Sequence, residues 1–211
     1  MSLEIGLLVL ETVLLIFTIA LLFFSIKEGR GRKHLLLEVE RATKVLTREE
    51  YFLTIMDSLA DCNKEVIGTI TGRFPTTEDK SRIKNLKLAI EKLSNQGIKI
   101  LYILPKFPDR LHVGYLYTKA GAEIRYSDCS IVHDLRYMIV DRKVVIIGVP
   151  ESIGEKEATR KGYKIPSEAL AHIFFENFHS CLENSITFQE FLKEVIRQTG
   201  APIKTLSKEL Q

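Results

Sequence analysis

Residues 133–151, HDLRYMIVDRKVVIIGVPE, gather groups with phosphoryl chemistry in reach. His133 offers an imidazole that can attack phosphorus or move a proton, and Arg136 a guanidinium that can grip a phosphate through two hydrogen bonds. Asp134 lies between them in sequence, and its carboxylate repels an anion. In a strand, positions two apart share a face and positions three apart do not. Asp134 and Arg136 are therefore expected as a structural ion pair, with His133 turned to the other side as an ordinary loop-edge histidine. A bulge would be needed to bring the imidazole round. Asp141 opens a tight turn, Asp141-Arg142-Lys143, and Gly148, Val149 and Glu151 close the stretch.

Little else in the chain offers chemistry. His172 and His179 stand seven apart in an expected helix, which gives a shared face without zinc-ligand spacing, so they read as surface or core histidines. Cys62, Cys129 and Cys181 are too scattered for a metal motif or a disulfide framework and read as small buried residues of a reducing compartment. No glycine-rich phosphate loop follows a strand, and no cofactor is implied. Phe174, Phe175 and Phe178 have the spacing of a core face. Beyond residue 34 the chain holds 26 basic and 24 acidic residues, a balance that argues against nucleic acid as a partner.

The elements that must position these groups alternate between strand and helix, which predicts an α/β layered fold. Thr47-Arg48-Glu49-Glu50 fits a capping box and starts a helix running to about Ala60. A β-rich run at 64–72, a helix over 77–96 and a near-continuous apolar strand at 98–105 follow. A short helix at 109–121 and a strand at 122–126 lead to the pair LRYMIVD and KVVIIGV around the turn. Residues 151–166 read as a charged connecting loop. Two helices end the chain, the second capped near Ser185 or Thr187.

Residues 5–26 hold one charge, Glu11, in 22 positions, enough at about 1.5 Å per residue to cross a bilayer core of about 30 Å. Lys27, Arg30, Arg32 and Lys33 follow, so the positive-inside tendency predicts a single-pass anchor, with the N-terminus outside and the rest cytoplasmic. Residues 5–26 and these four cations are the expected contacts with membrane lipid. The organisation is then an anchor at 1–27, a basic segment and helical stalk at 28–46, a domain at 47–200 and a tail at 201–211.

The order of elements, with IKILYILP, AGAEIRY and MIVDRKVVIIGVP, resembles one half of the phospholipase D superfamily. That family's motif is H-x-K-x4-D-x6-G-S-x-N. Asp141 and Gly148 match it, whereas Asp134 replaces the nucleophilic His, Arg136 the Lys, Val149 the Ser and Glu151 the Asn. The resemblance implies a phospholipase D-like sheet with helices on both faces, a degenerate site, and a homodimer, because such sites are commonly built from two halves. The helical connector and first helix are also similar in style to the effector domains of TrmB-type archaeal regulators. Together these imply a catalytically inactive module that binds a small anionic ligand or a protein. The alternative is a membrane-anchored phosphodiesterase with an altered centre around His133, Arg136 and Asp141.

Overall fold

The computed structural model describes residues 44–72, 80–150 and 159–200, with Phe17 alone ahead of them. The expected anchor at 5–26, its basic flank, most of the stalk, Glu151 and the tail lie outside the described residues. Among the described residues no helix is long and apolar enough to cross a membrane. The domain forms the second of two compact units, beginning at Ala42.

Eight strands make one sheet, in the order β1 (Lys44–Leu46), β7 (Thr159–Pro166), β6 (Val144–Pro150), β5 (Arg136–Val140), β2 (Glu65–Thr69), β3 (Lys99–Pro105), β4 (Glu123–Ser127) and β8 (Ile186–Thr187). Among the described strands the parallel neighbours are β2–β3 and β3–β4, and every other pairing is antiparallel. In β3 every residue after Lys99 is buried, as its unbroken apolar run predicts for a strand covered on both faces.

Among the described residues, six α-helices cover the sheet. On one face lie α1 (Arg48–Ala60), α2 (Lys80–Asn95), α3 (Leu111–Lys119) and α6 (Phe188–Thr199), packed on Val66, Tyr102, Leu104, Tyr126, Met138 and Val140. The other face carries α4 (Ser130–Asp134) and α5 (Glu168–Glu183) over Ile67, Ile103, Tyr137 and Ile139. The cap expected at Thr47 is present, and of the two positions open for the last helix, Ser185 or Thr187, Thr187 is the cap. Thr47 and Thr187 each accept the backbone N–H three residues on, while Glu50 and Glu190 bond back to the cap. Phe178 is buried, and Phe174 and Phe175 are half-buried against the same core.

Four expectations need correction. Residues 159–166 are not loop but β7, because this stretch pairs along both edges, with β6 and β1. Lys44–Leu46, the end of the expected helical stalk, is a strand, since backbone pairing with β7 overrides the helical spacing of its apolar residues. His133 and Asp134, read with strand alternation, belong instead to α4, which buries Val132. Cys129 and Cys181 are joined by a disulfide, which spacing 52 residues apart could not reveal; only Cys62 is a free buried thiol.

Candidate functional site

The carboxyl ends of β2, β3 and β4 share one edge of the sheet with the start of β5 and the end of β6. At β2 the strand order reverses direction, with β3 on one side and β5 on the other, the kind of crevice where ligands bind in α/β sheets. The register sets Arg136 opposite Gly148, and Gly148 opposite Gly162. Asp134, Arg136, Gly148 and Val149 therefore gather at this end, as the motif spacing requires.

Their side chains do not converge. Arg136 shares the α1 face with Met138 and Val140, its Nε is buried, and its charge acts on Tyr51 of α1. Gly162 makes room for this arrangement: a Cβ there would come within 2.2 Å of the Tyr51 ring. Burial pushes the Tyr51 hydroxyl up to about 12, with Arg136 pulling the other way.

His133 belongs to α4 on the opposite face, where its ring meets Phe107 edge-on at 5.2 Å between centroids. The expected separation of His133 from Arg136 thus holds, though a helix produces it and not strand alternation. Asp134 is the exposed last residue of α4, and among the described residues no ion pair joins it to Arg136. The expected pair needed an extended backbone at both residues, and the strand starts only at Arg136. Thr69 fixes the junction: its buried hydroxyl donates to Leu135 O at 2.7 Å and accepts from Tyr137 N at 3.3 Å. Val149 is exposed and apolar where the motif has a hydroxyl.

Asp141 is elsewhere. It sits at the far end of β5, about 16 Å of extended chain from Arg136. Asp141 and Arg142 both adopt positive φ, 52° and 56°, the two central positions of a tight hairpin turn. The Asp141 carboxylate accepts N–H bonds from Asn63 at 3.0 Å, Lys64 at 2.8 Å and Glu65 at 3.1 Å, and the Cys62 thiol lies 3.3 Å away. Burial raises its pKa, but these donors outweigh burial and hold the carboxyl below its ordinary value. Arg142 pairs with Glu65 and lies over the Phe175 ring at 3.9 Å. Asp141 is a latch between the turn and the approach to β2, so His133, Arg136 and Asp141, the residues of the alternative altered centre, do not meet within this chain.

Composition and spacing passed over the other groups at the carboxyl end. Lys106 pairs with Asp128 at 3.1 Å, with side chains 22% and 70% exposed. Arg110 lies 3.4 Å from Asp109, with side chains 7% and 60% exposed, and its guanidinium stacks on Phe107 at 5.6 Å. At this end, then, cations lie inward and their carboxylates outward. The signal was available in LPKFPDR, a basic and aromatic loop held between prolines at the end of a buried strand. His172 and His179 are exposed on α5, His172 facing Glu176 at 3.8 Å and the His179 ring tilted against Phe175 at 4.3 Å between centroids.

Several solved structures share this fold. NucT from Helicobacter pylori matches with a TM-score of 0.53 at 13% identity, over 69% of this chain and 98% of that one. Nuc from Salmonella typhimurium, a phospholipase D family member, gives 0.51 at 13% identity, over 69% and 97%. TrmBL2, an archaeal chromatin protein, gives 0.50 at 16% identity, over 77% of this chain and 64% of that one. No protein-family model and no curated protein sequence matches the chain. The domain has a phospholipase D-like fold.

Proposed function

We propose that this is a single-pass membrane protein whose phospholipase D-like domain, on the cytoplasmic side, is catalytically inactive and serves as a ligand-binding or regulatory module. The observation that carries the reading is the dispersal of the groups an active centre would need. His133 and Arg136 lie on opposite faces of the sheet, and Asp141 is bound to backbone at its other end. Proton transfer and charge stabilisation act only within hydrogen-bond reach of one reacting group.

The ligand that suits the carboxyl end is a small anion. Lys106 is mostly covered while its partner Asp128 is exposed, so an anion entering there can take the place of that carboxylate, with the buried charge of Arg110 adding to the attraction. The crevice belongs to one half of a site type commonly completed by a second half, and a homodimer held by the anchor and stalk follows as part of the proposal.

Hydrolysis of a chromogenic phosphodiester, a phospholipid and single-stranded DNA by the full chain in detergent micelles tests this. Turnover equal to that of the His133→Ala and Asp141→Ala chains is the expected result. Turnover lost in His133→Ala, with the fold intact, would establish the phosphodiesterase alternative instead.

A further inference from the structure

The disulfide stands at a sensitive place. Cys129 immediately precedes α4, Cys181 lies in α5, and their Cα atoms are 5.7 Å apart. Five residues are too few for backbone bonds to hold a helix unaided, so α4 depends on its attachments. Val132 is buried at its middle, and Thr69 grips Leu135 just beyond its carboxyl end. At the amino end the described attachments include the disulfide, a bond from Cys129 N to Ser127 Oγ at 3.2 Å and, just ahead, the Lys106–Asp128 pair. His133 follows four residues later, resting on Phe107.

The two sulfurs are unequal. Cys129 is half-exposed and Cys181 only 2% exposed, so an attacking thiolate reaches Cys129 and expels Cys181. The third cysteine takes no part: Cys62 is buried, and burial together with Asp141 pushes its thiol up to about 12. In the cytoplasm small thiols keep most protein thiols reduced, and a bond formed there is one that opens and closes.

We propose that Cys129 and Cys181 form a reversible redox tie that fixes α4, and with it the His133–Phe107 corner of the crevice, against α5. The inference rests on the cytoplasmic placement proposed above. Closure by a peroxide is balanced: the Cys129 thiolate takes one peroxide oxygen to give a sulfenic acid, and one water leaves. The Cys181 sulfur then attacks the Cys129 sulfur, a second water leaves, and two thiols have reduced one peroxide. A low-molecular-weight thiol reverses this. It attacks Cys129 and releases the Cys181 thiolate; a second such thiol frees Cys129 and departs as the oxidised dimer.

The test exposes the folded full chain in detergent micelles to reduced glutathione, then to hydrogen peroxide, counting alkylated thiols by mass at each step. Proton NMR follows the cross-peak between the His133 and Phe107 rings. The expected result is opening by glutathione, closure by peroxide, loss and return of the cross-peak, and a Tm lower by roughly 10 °C in the open form. Cys129→Ala should reproduce the open form. A bond that survives glutathione in the folded chain would overturn the proposal and make it a permanent staple. Opening that leaves the cross-peak and Tm unmoved would overturn it too. Diester turnover would sink the inactive reading without touching the tie, and protease protection in membrane vesicles checks the cytoplasmic placement separately.

Discussion

The two ends of β5 carry the two parts of one sequence motif, and they are built in opposite ways. At the Asp141 end, a carboxylate in a left-handed turn receives three backbone N–H groups from a segment more than seventy positions away. At the Arg136 end, the side chains scatter between two faces, and Asp134 stands in solvent. Asp141, one of the two residues that match the phospholipase D motif, is one the backbone frame requires. The positions that differ are those chemistry requires. A partial motif match therefore reports on the sheet before it reports on a reaction.

The sharpest way to break this comparison is Asp141→Ala. Losing three bonds to a charged acceptor, with positive φ imposed on alanine, should cost about 3 kcal/mol in urea unfolding of the full chain. Asp141→Asn, which tolerates the left-handed turn, should cost less. A cost under about 0.5 kcal/mol would mean that the latch is ornamental. Next comes Gly162→Ala, whose new methyl must displace the Tyr51 ring: about 2 kcal/mol is expected. The loss should be much smaller in a Tyr51→Ala background, because the two sites share one contact.

Acid sharpens the same contrast. The Asp141 carboxyl is depressed in the folded state, so its stabilisation is complete above the unfolded aspartate value of about 3.9 and disappears as pH falls through the lower folded value. The Tm gap between the natural chain and Asp141→Asn should stay constant above about pH 5 and narrow below about pH 4. The smallest effect belongs to Asp134→Ala, which should shift stability by no more than about 0.5 kcal/mol, since that side chain is exposed. A larger loss would show that Asp134 has a structural partner after all.

Much of the frame was legible in the sequence. The caps at Thr47 and Thr187, the buried run of β3 and the turn at Asp141 all follow from local chemistry, and all three stand in the structure. What escaped depends on contacts distant in sequence. Thr159–Pro166 is charged and glycine-bearing, with no apolar alternation, and becomes a strand because β6 and β1 offer backbone partners. Cys129 meets Cys181 only once α5 packs across the sheet. The site was legible as a set of positions but not as a set of directions. Strand alternation was extended back to Asp134, where α4 turns the chain before β5 begins.

The edge strand β1 has a mechanical consequence. It is three residues long, it pairs only with β7, and it is where the described chain enters the sheet. Tension arriving along the chain from ahead of Lys44 loads this short ladder first, and the buried Leu46 is its one deep fastening. Under pull, β1 would detach from β7 before the core strands feel the load. The sheet thus has a weak ladder at its amino-terminal edge, the first to give way under such a pull.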